Sequence, residues 1–327
     1  MTTRGRLAGL VDSALEASVI GGFSRVGPLV RGRLEQWSDP PSMAGRVCVV
    51  TGASSGLGLA ASTGLARLGA SLRLLVRDAR RGEDARREIA AETANEDVRC
   101  ELVDISVRRS VRACAERLLA AGEPVHVLVH NAGVSPAERR ETEEGLELTF
   151  ATNVLGPHLL TRLLRERLVA SAPARVIFVS SGGIYTRRLD VEDLQSRNGS
   201  FDGRVAYAQS KRAVVVLAER WAEELAGTGL VVHSMHPGWA DTPGTQTSIP
   251  TFTRVMRPLL RSPEQGADTI VWLAAAAEPG EVTGRFWNDR RARSPHIPLA
   301  RTRETAEERE RLWHALDALA AGASARI

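Results

Sequence analysis

The chain has 327 residues, 43% hydrophobic and 25% charged, with 29 Gly and 15 Pro, which excludes a disordered or fibrous protein. Its 43 basic residues against 39 acidic ones leave a formal charge of +4, too small to argue for nucleic acid, and acids interleave the bases throughout. No window holds the ~18 uninterrupted apolar residues of a membrane-crossing helix.

Asp12 and Glu16 break the first apolar stretch, against a secretory leader. Cys48, Cys100 and Cys114 lack metal-ligand spacing, so no metal is expected, and free thiols in a reducing cytoplasm are the reading. Residues 1–43 form a helical N-terminal extension. Leu7, Leu10, Val11, Ala14, Leu15 and Val19 keep helical spacing among Arg4, Arg6, Asp12 and Glu16. Gly21-Gly22 interrupts the pattern, and Val26, Leu29, Val30, Leu34 and Trp37 resume it up to Pro40-Pro41. That stripe needs a cover. A protein surface is expected, either its own domain or a second copy in a homo-oligomer; a peripheral membrane contact is the alternative. The remaining chain is large enough to bury its own core, so the arm is expected to be unnecessary for folding.

Residues 44–290 alternate short apolar runs with longer helical patterns. Strands are expected at 47–51, 72–76, 98–103, 125–129, 176–180 and 230–235, and helices at 57–69, 80–93, 107–121, 145–171 and 206–227. Apolar strands spaced by helices predict a parallel sheet covered on both faces. The fold class is therefore α/β, a doubly wound Rossmann fold of about seven strands, with ligands at the carboxyl ends of the strands. Residues 239–262 read as a flap, in which Trp239, Ile249, Phe252, Val255, Met256, Leu259 and Leu260 are apolar while Pro243, Gly244 and Pro250 break regular structure. They would line a lipophilic substrate site or serve as ordinary helix core. The C-terminal extension, 291–327, begins with a loop containing Pro295 and Pro298. A solvated helix with internal ion pairs is expected over 303–321.

Two places carry chemistry. The first strand runs into Thr51-Gly52-Ala53-Ser54-Ser55-Gly56-Leu57-Gly58 and then a helix. Glycines there serve a tight turn and close approach of the backbone to a pyrophosphate, which the N–H groups of the helix start would receive. The second place is Lys211, the sole lysine among 43 basic residues, four positions after Tyr207, one of two tyrosines. Random placement produces that spacing in fewer than about 1% of arrangements. At i and i+4 the two side chains leave one helix face a turn apart. An ammonium beside a phenol favours the phenolate, making a usable acid/base.

The spacing TGxxxGxG at Thr51–Gly58, Asn131-Ala132-Gly133, Ser180-Ser181 and Tyr207…Lys211 together resemble the short-chain dehydrogenase/reductases, in their single-domain branch. Ser181-Gly182-Gly183, Asp193-Leu194-Gln195-Ser196, Phe201-Asp202-Gly203 and Met235–Gly244 resemble the dehydrogenase/reductase SDR family member 12 group, itself similar to retinol-dehydrogenase-like reductases. The resemblance covers about residues 44–290 and implies a nicotinamide-dependent oxidoreductase. By it Tyr207 is the acid/base, and Lys211 lowers its pKa and holds the nicotinamide ribose. Ser181 rather than Ser180 bonds the substrate oxygen, and Asn153 holds a relay water. Gly52, Ser54, Ser55, Gly56, Leu57, Gly58, Asp104, Ile105, Asn131, Ala132, Gly133, Pro237, Gly238 and Thr242 would contact the dinucleotide. His130 stands where many members have a second asparagine, and it is read as pointing into the core.

Arg77 follows the second strand where an acid would repel a 2′-phosphate, with Arg80 and Arg81 near and Asp78 as a counter-signal. NADP(H) is therefore expected over NAD(H), unless Arg77 merely solvates its loop. A carbonyl reductase or alcohol dehydrogenase acting on a hydrophobic small molecule is the leading reading. A non-catalytic dinucleotide-binding protein is the alternative; the Tyr207, Lys211, Ser181 and Asn153 set argues against it, because a binding module needs no proton donor.

Overall fold

The computed structural model describes residues 3–297 and 302–323; Pro298 lies outside them, as do the side chains of Arg4, Arg6 and Leu7. Eight strands form one sheet in the order β3-β2-β1-β4-β5-β6-β7-β8. They are β1 (Val47–Thr51), β2 (Ser71–Val76), β3 (Val98–Leu102), β4 (Val127–His130), β5 (Ala174–Val179), β6 (Leu230–Met235), β7 (Arg285–Asn288) and β8 (Arg291–Arg293). All neighbours pair parallel except β7 and β8, which pair antiparallel. The doubly wound Rossmann architecture is therefore present. Alternation along β1 sends Val49 into one core and Cys48 and Val50 into the other. The helices α4 (Gly56–Arg67), α5 (Ala79–Thr93) and α12 (Pro263–Ala275) cover one face, and α6 (Arg108–Ala120), the one-turn α7 (Leu148–Phe150), α8 (Gly156–Ala170) and α9 (Gly203–Glu224) the other, with the short α10 (Pro243–Ser248) and α11 (Pro250–Met256) in the flap. None of the described helices is long and apolar enough to cross a membrane.

The helix expected over 145–171 is broken. Glu147 is buried and caps a single turn, accepting from the N–H groups of Thr149 and Phe150 at 2.8 and 2.7 Å. A wide π-turn, Ala151–Leu155, then precedes α8 and re-aims Asn153. The last helix, α13 (Ala306–Ala321), also departs from expectation. It buries Leu312, Leu316 and Leu319 in the main core. Its ion pairs mostly reach other elements: Arg309 to Glu219 and Glu223, Asp317 to His158 and Arg162. A buried apolar stripe and cross-element charges make it part of the body.

Strands β7 and β8 have no sequence signature, and their turn explains why. Asp289 and Arg290 connect them, both at positive φ (50° and 56°), as a tight two-residue hairpin requires. Glycine or asparagine usually fills such positions; here each non-glycine residue is held by charge. Arg290 pairs with Asp268 at 2.6 Å, and its guanidinium lies 4.7 Å from the Trp37 ring. Asp289 is buried between two buried arginines, Arg261 at 2.6 Å and Arg31 of the arm.

The arm itself comprises α1 (Thr3–Ala17), α2 (Val19–Phe23) and α3 (Val26–Glu35). Arg31 bridges Asp289 to Asp12, and Asp12 also receives Arg291 at 2.9 Å and Arg293 at 2.6 Å. Burial raises the Asp12 pKa, but the bonds and charges of Arg293 and Arg31 outweigh it and hold the carboxyl well below its usual range. The arm therefore docks on its own domain by an ionic seam. Its apolar stripe does not close that seam, for Leu10, Val19 and Ile20 are 71%, 54% and 54% exposed. The expectation that folding does not need the arm must now be weighed against these buried pairs. Arg31→Met is expected to cost about 2 kcal/mol, because Asp12 and Asp289 each lose a charge-assisted bond while Arg261, Arg291 and Arg293 stay on them. The reading is the denaturant midpoint, and an unchanged midpoint contradicts the seam.

Candidate active site

At the carboxyl end of β1 the chain turns over Gly52, at φ 66°, and enters α4 at Gly56. A β-carbon on Gly58 would lie 2.3 Å from the Gly52 carbonyl and 2.5 Å from the Asn131 amide, so only glycine fits. Ser55 caps α4 without a side-chain bond, which leaves the N–H groups at the helix start open to an anion. Ser54 and Leu57 line the same turn, and the Thr242 methyl packs over Gly56. Strands β1 and β4 are tied beneath it. The Thr51 hydroxyl accepts from the N–H groups of Asn131 and Ala132, both at 3.0 Å, and the Asn131 amide donates to the Thr51 carbonyl at 3.0 Å. These residues form a cradle that fits the pyrophosphate and adjoining ribose of a dinucleotide.

The neighbouring carboxyl ends carry the polar cluster. Lys211, on α9, is buried and its Nζ donates to the Val179 carbonyl at the end of β5, at 2.8 Å. Burial pushes its pKa down to about 8. Its Nζ lies 5.7 Å from the centre of the Tyr207 ring. Gly133 packs between Lys211 and Asn153; a β-carbon there would sit 3.2 Å from the ammonium and 3.4 Å from the Asn153 Oδ1. Asn153 accepts from the Val134 N–H at 2.9 Å and donates to the Ser210 hydroxyl at 2.9 Å.

The two serines separate cleanly. Ser180 is buried and its hydroxyl donates to the Lys211 carbonyl at 2.8 Å, which tethers α9 to β5. Ser181 stays partly accessible beside Tyr207, its hydroxyl accepting from the Gly183 N–H at 3.3 Å. One expectation changes here. Burial raises the Tyr207 pKa and the Ser181 hydroxyl only opposes it, so the phenol sits above its ordinary value rather than nearer neutrality. The Lys211 Nζ is turned to the Val179 carbonyl and stays 5.7 Å from the ring centre.

The cofactor candidates further out are also placed. Asp104 lies two residues beyond β3, its carboxylate accepting from the Ser106 N–H at 2.9 Å, and the Ile105 carbonyl packs against Gly156 at the start of α8. Arg77 follows β2 directly and is exposed, as are Arg80 and Arg81, and none of the three has an ion pair among the described residues. Asp78 is occupied as the cap of the next helix, accepting from the Arg81 N–H at 2.9 Å. Pro237 and Gly238 are fixed by His236, whose Nδ1 accepts from the Gly238 N–H at 2.9 Å. Burial, aided by the charges of Arg261, Arg31 and Arg293, drives the His236 pKa far down, so the ring is neutral and can accept. His130 is buried as expected, its Nε2 2.7 Å from the Thr161 hydroxyl, with a pKa lowered by burial to about 3.

Against known proteins, the short chain dehydrogenase family profile matches residues 46–251. The chain belongs to the short-chain dehydrogenase family. As a member it is an NAD(P)-dependent oxidoreductase of CH–OH groups. Human dehydrogenase/reductase SDR family member 12 is 43% identical over 277 residues, covering 84% of this chain and 86% of that protein. Human retinol dehydrogenase 13 is 34% identical over 280 residues, 83% of each. A solved structure described as a Pseudomonas aeruginosa RhlG/NADP active-site complex superposes with a TM-score of 0.62 at 26% identity, covering 76% of this chain and 96% of that one.

Sequence reasoning missed several residues around this short-chain dehydrogenase site. Ser210 and Val134 complete the Asn153 bonds, and Arg261 reaches the Pro237 carbonyl at 3.2 Å. Ser210 lies inside the Tyr207–Lys211 stretch and Val134 directly after Asn131-Ala132-Gly133, whereas Arg261 carried no sequence signal. The glycine geometry makes a direct prediction. Gly58→Ala is expected to weaken dinucleotide binding at least about tenfold, roughly 1.4 kcal/mol, while the chain stays folded. Fluorescence titration with reduced dinucleotide reads it, and unaltered affinity contradicts the cradle.

Proposed function

We propose that this oxidoreductase is an NADP(H)-dependent carbonyl reductase or alcohol dehydrogenase of lipophilic small molecules, with Tyr207 as its proton donor. The observation that carries the reading is the sole lysine, buried one helical turn from a partly accessible tyrosine that lies beside Ser181. A nicotinamide dinucleotide, when bound, supplies or takes the hydride. The chain does the rest. In the cleft, a carbonyl oxygen would accept from Ser181 and Tyr207 together, which polarises the bond and aims the carbon at the cradle. As the carbon gains a hydride, the oxygen takes the Tyr207 proton, so carbonyl and alcohol differ by one hydride and one proton. Lys211 carries the positive charge that stabilises the phenolate left behind, and Gly133 leaves room for a ribose hydroxyl beside the ammonium. Asn153 holds the strand end behind Lys211 and keeps one acceptor lone pair facing it, a site for a relay water.

The protonation states set the direction. Burial raises the Tyr207 pKa, so the phenol is protonated at neutral pH, the form that carbonyl reduction needs. Alcohol oxidation needs the phenolate and gains as pH rises. Reduction is therefore expected to be flat through neutrality and to fall in the alkaline range, with oxidation rising over the same range. Tyr207→Phe is expected to lower kcat/KM at least about 100-fold, and Lys211→Arg to do so comparably, with little change in dinucleotide affinity for Tyr207→Phe. Near-wild-type turnover in either variant, against a panel of aromatic and long-chain aldehydes and ketones, contradicts the assignment.

Arg77 supports the phosphate preference, having no ion pair among the described residues while Asp78 is turned to its own helix. A charge-assisted bond to a 2′-phosphate is worth about 1.5–3 kcal/mol, roughly one to two decades of affinity. Wild-type protein is expected to bind NADPH tighter than NADH by that margin, and Arg77→Ala to erase most of it; equal affinities in wild type contradict it. The lipophilic substrate rests on the half-buried rings beside the cleft, Trp239 edge-on to Phe252 at 5.1 Å, and on the similarity to retinol dehydrogenases.

A further inference from the structure

The arm does more than dock. Its second helix ends at Phe23, whose ring packs against the loop that carries Ser181. A β-carbon on Gly182, the residue after Ser181, would meet the Phe23 ring at 2.5 Å. The ring stands edge-on to Trp239 at 5.8 Å and to His236 at 4.4 Å, yet it remains partly accessible. We propose that the N-terminal arm is a wall of the substrate site and that Phe23 is a specificity-determining residue in it. The inference rests on the reading of Ser181 and Tyr207 as the reacting end of that site.

The backbone of the same segment holds the opposite wall. The Phe23 carbonyl accepts from the Trp239 N–H at 2.7 Å. The carbonyls of Gly22, Phe23 and Ser24 accept from Arg261 at 2.7, 3.1 and 3.1 Å, while Arg261 also donates to the Pro237 carbonyl at 3.2 Å. Gly238, at φ 72°, leaves the space that Arg261 and Phe23 fill, for a β-carbon there would lie 2.3 Å from the guanidinium. Phe23 therefore touches the serine side of the cleft with its ring and the flap side with its carbonyl. A substrate held by Ser181 and Tyr207 has the Phe23 ring one residue from its oxygen. The contact is apolar, so it acts on binding of the substrate body and leaves proton and hydride transfer alone.

The test uses the full chain as wild type, Phe23→Ala and Phe23→Leu, with unfolding midpoints recorded for each. With NADPH and a bulky ketone, cyclododecanone, Phe23→Ala is expected to raise KM about tenfold, as loss of an apolar ring predicts. The expected kcat stays within about threefold and NADPH affinity within about twofold, with Phe23→Leu intermediate in KM. Unchanged KM in Phe23→Ala overturns the wall, and so does a loss confined to NADPH affinity. Calorimetric titration of cyclododecanone into the NADP+-bound protein gives a readout without turnover. Ketone binding weakened about tenfold by Phe23→Ala supports the wall even where the wild type reduces nothing, an outcome that would sink only the proposed reaction. Equal ketone binding in both overturns the wall, and absence of binding to wild type overturns it together with the site. Gly182→Ala supplies a second variant: added bulk against the ring is expected to disturb ketone binding, and Phe23→Leu to relieve it. Additive effects of the two contradict their contact.

Discussion

A buried ammonium must find an acceptor, and Lys211 finds the Val179 carbonyl where β5 ends. Much of the site's placement follows from that one bond. It pins α9 over the carboxyl edge of the sheet, with Ser180 adding a second tether from the same strand end to the helix backbone. One turn earlier on α9, Tyr207 is then held above Ser181, the next residue of the chain after Ser180. Arginine, which fills the other 42 basic positions, is no substitute: its fork is larger than the compact ammonium that lies against Gly133. The same burial that makes the lysine costly to place lowers its pKa and raises that of the phenol. The phenol is thereby kept protonated near neutrality.

A second constraint acts from outside the glycine cradle. Asp289 is buried with two arginines, one from the arm and one from the flap, so three segments far apart in sequence meet on one carboxylate. Such a cluster stabilises little against an apolar alternative, but it resists alternatives in which any partner is missing. Its effect is positional. Arg261 carries the constraint to Pro237 and to the carbonyls around Phe23, so the flap and the arm share one anchor.

The sheet, the glycine turn and the Tyr207–Lys211 helix were legible because each is local: apolar runs, glycines at fixed offsets and one helical spacing. Ser181 was distinguishable from Ser180 by resemblance, and the structure supplies the physical reason, since Ser180 is occupied by the helix. The hairpin of β7 and β8 was not legible, for its turn uses Asp289 and Arg290 at positive φ where a glycine would have announced it. The broken helix before α8 was hidden because Glu147, three residues inside a helical pattern, caps a turn from a buried position. The burial of α13 was masked by its charged residues, whose partners lie on other elements. Phe23 was out of reach altogether: its complement, Gly182, is distant in sequence, and a gap of one β-carbon leaves no pattern.

Protonation and hydride delivery are separable events in this site, and only the second leaves a label in the product. The most direct test of the account therefore follows the hydride. Wild-type protein given NADPH carrying deuterium at the transferable position of the nicotinamide and a hydrophobic ketone should yield alcohol bearing one deuterium on the carbinol carbon, by mass spectrometry. The same incubation with Tyr207→Phe should yield little alcohol of any kind. Alcohol without deuterium, or labelled alcohol formed equally fast without the Tyr207 hydroxyl, would contradict the account.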